Sequence, residues 1–171
     1  ATMLDRLAFA REHHDALRRA LMFEPRGHAD MYGALVTPPA TADGDAGVLF
    51  MHNEGFSTMC GHGVIALVTV GVEQGLLEPG PGGELKLDTP AGRVVARAEI
   101  RGSGAALRVE RVSFVNVPSF VLASGVRVDV PGRGSPAVTL AYGGGCYAYV
   151  GAAGRGVELG HERQDGEVAA G

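Results

Sequence analysis

The segment from Gly63 to Gly75 is apolar at nearly every position, and this feature constrains the fold more than any other part of the sequence. Periodicity alone does not separate a buried strand from a buried helix here. The length of the segment and its ending, in which Gly75 suits a left-handed cap, favour a helix. A helix that is apolar on every side has to be enclosed, so the rest of the chain is expected to wrap around it.

Short apolar stretches separated by glycine and proline fit this pattern of enclosure. Glycine makes up 27 of the 171 residues and tryptophan is absent, which is typical of a protein of strands and turns. The sequence therefore predicts an α+β fold, in which a curved, mostly antiparallel sheet wraps around a central buried helix. The predicted strands are 31–36, 47–51, 85–87, 94–100, 107–115, 120–122, 126–130, 138–142 and 147–150.

One amphipathic helix is predicted before the sheet. Thr2 can cap it, with Asp5 three residues later, and the helix should run to the break at Glu24-Pro25. We expect it to pack on the sheet through apolar residues that recur at helical spacing: Leu4, Leu7, Ala8, Leu17, Leu21 and Met22.

Charge and composition exclude several classes of partner. The net charge is -4, and the 15 Lys and Arg residues are scattered, so the sequence predicts no nucleic acid partner. The longest apolar run falls well short of the roughly 20 residues that a spanning helix needs, so no membrane partner is expected. The chain opens without a signal-peptide pattern, and two cysteines make no disulfide framework. We expect a soluble, cytoplasmic protein.

The run Met59-Cys60-Gly61-His62-Gly63 carries the most informative chemistry, because it stands where a glycine-rich approach meets the predicted helix. The first amides of a helix lack partners, and the helix dipole there favours negative charge. Gly61, His62 and Gly63 could therefore present their amides to a substrate carboxylate. A thiol at Cys60 should be a better base than a free cysteine.

Less functional interpretations of these residues remain open at this point. Cys60 could be a small buried hydrophobe, and the residues alone support that reading about as well as the catalytic one. His62 is more simply explained as a residue that orients the loop than as a metal ligand, because no histidine pairs with Cys or carboxylates at metal-site spacing. No metal is predicted. Cys146 is expected to be a packed core thiol.

The scarcity of lysine excludes one common cofactor. Enzymes that use pyridoxal phosphate need a Schiff-base lysine. The only lysine is Lys86, and strand alternation places it on a solvent face. If the protein removes a proton from an amino acid α carbon, we expect it to do so without a cofactor.

Three stretches resemble the proline racemase superfamily: the motif at 59–63, the approach at 48–58, and the segment at 24–35. Within it the sequence is most similar to the trans-3-hydroxy-L-proline dehydratases, with Phe56 in place of the usual tyrosine. The resemblance runs from Thr2 to about Val150.

The resemblance implies a diaminopimelate-epimerase-like fold of two pseudo-symmetric halves, each with a curved sheet around a helix and with the substrate between the two helix starts. Residues 1–135 would form the N-terminal catalytic half. Residues 136–171 would begin the second half, truncated and ending in a polar tail. Such proteins are about twice as long, and the opening strand of the family is expected to be missing here.

The resemblance also implies roles for individual residues. Cys60 would remove the α proton of proline or hydroxyproline, Gly61, His62 and Gly63 would hold the carboxylate, and Tyr32 would line the ring pocket. A second catalytic residue, Cys in racemases and Thr in dehydratases, would lie on the other half.

These implications favour dehydration of trans-3-hydroxy-L-proline to pyrroline-2-carboxylate. The alternatives are a proline or 4-hydroxyproline racemase or epimerase, and, in another class, an inactive fragment or dimerisation half. Strand edges left open by a missing half would favour a homodimer.

Overall fold

The computed structural model describes residues 1–132 and 134–152, which fall into two compact units. The first unit is Ala1–Pro118, and the second begins at Ser119. The sequence places the start of the second pseudo-symmetric half at residue 136. That boundary stays a prediction, because compactness and pseudo-symmetry are different criteria. The predicted polar tail from Gly154 onward lies outside the described residues.

The first unit contains three helices and six strands. The helices are α1 (Met3–His13), α2 (Asp15–Met22) and α3 (Gly61–Glu73). The strands are β1 (Tyr32–Thr37), β2 (Ala46–His52), β3 (Gly55–Ser57), β4 (Glu84–Thr89), β5 (Gly92–Arg101) and β6 (Arg108–Val115).

A single sheet joins these six strands in the order β1-β2-β4-β5-β6, with β3 added alongside β2. All neighbours run antiparallel except β2 and β4, which are parallel. Helix α3 contacts both β1 and β6, the two ends of this order, and also β5. Contacts of one helix with both end strands and with β5 are those expected of a sheet that curves around the helix. The predicted α+β fold, with a curved and mostly antiparallel sheet around a helix, is therefore confirmed.

One face of β1, β2 and β3 packs under the two N-terminal helices. Directly opposite residues in an antiparallel pair share a face, and residues two apart along a strand do so as well. The buried cluster on this face consists of Met3, Leu7, Ala10, Met22, Leu49, Met51 and Phe56, with Met31 and Leu35 packed against it.

The other face of the sheet looks towards α3. A Cβ atom at Gly63, in the first turn of α3, would lie 2.7 Å from the ring of Phe50, which therefore points to this side. Val64, Val68 and Val72 are the buried side of the helix. Ile65 and Val70 are 40% and 56% exposed, so the enclosure expected on every side of α3 is seen along only one side of it.

The N-terminal helical region differs from its prediction in one respect. The Thr2 and Asp5 capping box is present, as predicted. However, the chain forms two helices that meet at His14, and this break resets the helical phase. Of the predicted packing residues, Leu7 and Met22 are buried. The other four are exposed: Leu4, Ala8, Leu17 and Leu21.

The described part of the second unit forms an antiparallel sheet of three strands in the order β7-β8-β9. These strands are β7 (Phe120–Arg127), β8 (Ala137–Tyr142) and β9 (Cys146–Tyr149). Cys146 is exposed, so its prediction as a packed core thiol is wrong. The strand β9 lies at the edge of this sheet, and all four of its residues are exposed, so neither of its faces forms a core. No helix in the described part of the chain is long and apolar enough to cross a membrane.

A buried carboxylate ties the loop before β2 to the strands β4 and β5. Asp88 is 4% exposed, and its Oδ2 accepts hydrogen bonds from the Ala40 amide and from the amide and hydroxyl of Thr41, at 2.7 to 2.9 Å. Its Oδ1 accepts from Arg93 at 3.2 Å. Burial raises the pKa of Asp88, but these hydrogen bonds outweigh burial and leave the pKa below its usual range.

Arg93 also connects this carboxylate to an exposed one. It donates to Asp43 at 2.8 Å, and Lys86 lies 3.4 Å from the same carboxylate. Hydrogen bonds from Arg93 and Lys86 lower the pKa of Asp43 to about 2. The loop before β2 is therefore held by charged groups from β4 and β5.

Replacing Asp88→Asn should lower the free energy of unfolding by about 3 kcal/mol at pH 7, because it leaves a partly buried arginine and two amides short of a charged acceptor. The folded-state pKa lies below the unfolded value, so this stability is present above about pH 4 and is lost as the pH falls further. Urea unfolding measured as a function of pH checks this: below pH 4 the free energy of unfolding should fall less steeply with decreasing pH in the variant than in the parent protein.

The matched control is Glu110→Gln, which removes an exposed ion pair with Arg101 at 3.3 Å. It should change the free energy of unfolding by less than about 1 kcal/mol. Equal effects of the two substitutions would contradict a structural role for the buried carboxylate.

Candidate active site

Cys60 caps the N-terminus of α3, as the sequence predicts. Its backbone is extended (φ -147°, ψ 112°), and its Sγ accepts a hydrogen bond from the Gly63 amide at 3.3 Å. Its carbonyl accepts the first intrahelical bond, from Val64, at 2.9 Å. The thiol therefore stands in the usual position of a capping oxygen, with a main-chain donor already directed at it.

The electrostatics of this helix start favour an anion. The first amides of a helix, here those of Gly61 and His62, have no acceptor within the helix. The first turn of α3 contains no acidic residue, so no side chain offsets the positive end of the helix dipole. Cys60 is half-buried and the His62 side chain is exposed. A carboxylate bound to these amides would lie beside the thiol.

Two aromatic rings approach the glycines of the motif. A Cβ atom at Gly61 would lie 3.1 Å from Cζ of Phe114, which comes from β6. One at Gly63 would lie 2.7 Å from Cε1 of Phe50, which is fully buried. A side chain at Gly63 would therefore overlap the Phe50 ring, whereas one at Gly61 would require only a small shift of the Phe114 ring.

Tyr32 lies on the same face of the sheet as Phe50. It is directly opposite His52, and Ala34 is opposite Phe50, so alternation puts all four side chains on the α3 side. The rings of Tyr32 and His52 have centroids 5.1 Å apart. The structure thus brings the predicted ring-pocket residue and the start of α3 to one side of the sheet.

A buried arginine holds the turn that follows His52 at the end of β2. Arg18 is 5% exposed, forms an ion pair with Asp15 at 2.7 Å, and donates to the carbonyls of His52 and Asn53. The Asn53 side chain in turn donates to the Met22 carbonyl at 3.0 Å. Helix α2 therefore holds the end of β2 in place just before the chain runs through β3 to Cys60.

Several residues around the site are not recognisable from the sequence. Local patterns identify Phe50 and Phe114 only as parts of strands, and His52 lies one residue beyond its predicted strand, because the relation of all three to the motif depends on strand pairing across the sheet. Alternation along β2 is the one available signal, since it puts Phe50 and His52 on a common face. Among the described residues, no three His, Cys, Asp or Glu side chains are grouped closely enough to hold a metal ion.

The fold and the capped cysteine motif define a chain of the proline racemase family. The model of that family, described as "Proline racemase", matches residues 1–171, so the chain belongs to it.

Two relatives within the family are named for different reactions. The chain is 52% identical, over 150 residues, to a trans-3-hydroxy-L-proline dehydratase of Bacillus thuringiensis subsp. konkukian, a match that covers 87% of this chain and 43% of the relative. It is 48% identical over 150 residues to a 3-hydroxyproline 2-epimerase of Burkholderia multivorans, covering 87% of this chain and 44% of the relative.

A solved structure is similar along nearly the whole chain. This is a hydroxyproline epimerase of Agrobacterium vitis with bound trans-4-hydroxy-L-proline, with a TM-score of 0.84 and 27% identity. The match covers 99% of this chain and 49% of that one. The chain therefore spans about half the length of the relatives it matches.

The two glycines of the motif should tolerate alanine differently. Gly63→Ala should lower the free energy of unfolding by about 2 kcal/mol, because the new methyl group overlaps a fully buried ring that has no room to move. Gly61→Ala should change it by less than about 1 kcal/mol, because the partly exposed Phe114 ring can shift and alanine favours the helix. Urea unfolding of both variants provides the measurement, and a larger loss in Gly61→Ala would contradict this assignment of the contacts.

Proposed function

We propose that this chain carries the thiol side of the active site of an enzyme that dehydrates trans-3-hydroxy-L-proline to pyrroline-2-carboxylate without a cofactor. The observation that carries the proposal is the Cys60 thiol at the N-cap of α3, beside amides suited to a carboxylate. The 52% identity to a protein named for this reaction supports the choice of substrate and chemistry.

In this proposal the substrate carboxylate binds the amides of Gly61 and His62, with Gly63 completing the first turn. That arrangement places the α carbon next to the Cys60 sulfur. The thiolate removes the α proton, and the amides stabilise the negative charge that spreads onto the carboxylate oxygens.

Loss of the hydroxyl completes the reaction. The electron pair of the former Cα–H bond forms a double bond between Cα and Cβ, and the bond from Cβ to the 3-hydroxyl oxygen breaks. The departing hydroxide takes up a proton and leaves as water, and the Cys60 thiol gives up the proton that it removed, which regenerates the thiolate. The resulting enamine tautomerises to the cyclic imine, so substrate equals product plus one water.

Tyr32 is proposed to line the pocket for the ring, and its pairing with His52 supports that role. The two side chains lie on the α3 side of the sheet at a centroid distance of 5.1 Å. Tyr32 is 51% exposed, so its side chain is accessible from solution. A flat, amphipathic wall of this kind suits a five-membered ring with polar substituents.

An epimerase is the second candidate, and the 48% identity to a 3-hydroxyproline 2-epimerase favours it. Both reactions begin with removal of the α proton, so the helix start would serve either of them. They differ in the second step, because an epimerase returns a proton to the opposite face of the α carbon. A homodimer and a cytoplasmic location stay predictions from the sequence, as does the interpretation of the chain as an inactive fragment or dimerisation half.

Substituting Cys60→Ala in the natural full-length polypeptide should reduce imine formation from trans-3-hydroxy-L-proline by a factor of at least about 10³, because the base is lost. The product is measured by trapping the cyclic imine with ortho-aminobenzaldehyde, which forms a coloured adduct. Ser113→Ala, on the exposed side of β6, is the control and should retain the parent rate. An undiminished rate in the Cys60 variant would refute the assignment of the base.

Incubation in deuterated water separates the two candidate reactions. A dehydratase should release imine, and any returned substrate should keep its original configuration at the α carbon. An inverted, deuterium-labelled hydroxyproline without imine would establish the epimerase. Absence of both products from the 171-residue chain by itself would favour its interpretation as an inactive fragment or dimerisation half.

A further inference from the structure

The hydroxyl of Ser57 is an unusual group in this fold. Within residues 1–132 and 134–152, its Oγ is the one buried side-chain nitrogen or oxygen that has no hydrogen-bond partner. Buried polar atoms in folded proteins are nearly always paired, so an orphaned hydroxyl needs an explanation. Ser57 ends β3, three residues before the capping Cys60.

Strand pairing determines which side of the sheet this hydroxyl occupies. Ser57 is directly opposite Phe50 in the antiparallel pair of β2 and β3, so the two side chains share a face. The Phe50 ring lies against Gly63 in the first turn of α3. The neighbouring Phe56 points the other way, into the cluster under the N-terminal helices. Ser57 therefore faces the start of α3.

The other groups on this side account for only part of the proposed substrate. The carboxylate has the amides of Gly61 and His62, and the ring has the aromatic side chain of Tyr32. An aromatic or apolar wall discriminates poorly against a missing or added hydroxyl. Two polar groups of the substrate, the ring ammonium and the 3-hydroxyl, have no partner among the residues named so far, and of the two only the 3-hydroxyl can both donate a hydrogen bond to a serine and accept one from it.

We propose that Ser57 is a specificity-determining residue whose hydroxyl forms a hydrogen bond with the 3-hydroxyl of bound trans-3-hydroxy-L-proline. This inference rests on the proposed function and deepens it. A hydroxyl both donates and accepts, which suits a neutral hydroxyl on the ligand. Ser57 as a residue is only half-buried, and rotation about χ1 moves Oγ between staggered positions, so it can turn towards a ligand.

A structural role and a ligand-binding role predict opposite effects on stability. A hydroxyl that held the fold together would lower the melting temperature when removed. An unpaired buried hydroxyl gives no such support, and its removal should leave the melting temperature unchanged or raise it. Ser57→Ala should therefore separate stability from ligand recognition.

The test compares two ligands in the natural full-length polypeptide, with Cys60→Ala as a common background so that no turnover occurs. Calorimetric titration measures the Kd of trans-3-hydroxy-L-proline and of L-proline, with and without Ser57→Ala. The added substitution should weaken binding of the hydroxylated ligand about tenfold and change L-proline binding less than twofold. The matched control Ser113→Ala should change neither Kd.

Three results would overturn the proposal. One is equal weakening of the binding of both ligands, which would assign Ser57 to the carboxylate, to the ring ammonium or to the fold. Another is an unchanged preference together with a lowered melting temperature, which would make the hydroxyl structural. The third is a Cys60→Ala protein that already binds both ligands equally. Imine formation by Cys60→Ala would instead refute the proposed base, and the effect of Ser57→Ala would then be measured as the change in KM for trans-3-hydroxy-L-proline compared with the change in the inhibition constant of L-proline.

Discussion

The close contact between the Phe50 ring and Gly63 is the constraint on which the rest of the site depends. Phe50 is fully buried in β2, the strand at the centre of the first three. Because Gly63 has no side chain, the first turn of α3 approaches that ring closely enough to set the helix start against the sheet. The same contact identifies the face of β1, β2 and β3 on which Tyr32 and Ser57 lie.

The two faces of the β1, β2 and β3 region have separate tasks. One face is filled by apolar side chains from α1 and α2, and the buried Arg18 holds the end of β2 through the carbonyls of His52 and Asn53. This packing holds the strands rigid from the face opposite α3. The face towards α3 carries the side chains of Tyr32, Phe50 and Ser57, on the side of the sheet where α3 begins, as the proposed pre-organised site requires.

Much of the fold was predictable because strong local patterns agree with the tertiary structure. The capping box at Thr2, the helix that begins after Cys60 and most of the strands were predicted from spacing, glycine and proline. The short strand Gly55–Ser57 was missed, because its few residues contain no alternation long enough to recognise. The break at His14 was missed because neither glycine nor proline marks it.

The sequence by itself determined the family, the α+β class and the motif of Cys60, because these depend on residue identity and on spacing along the chain. Only the tertiary structure decided that Tyr32 pairs with His52, that Phe50 rather than a neighbour touches Gly63, and that the Ser57 hydroxyl is buried without a partner. The physical reason is strand register. A shift of one residue would turn each of these side chains to the opposite face, and local sequence patterns do not specify which strands pair.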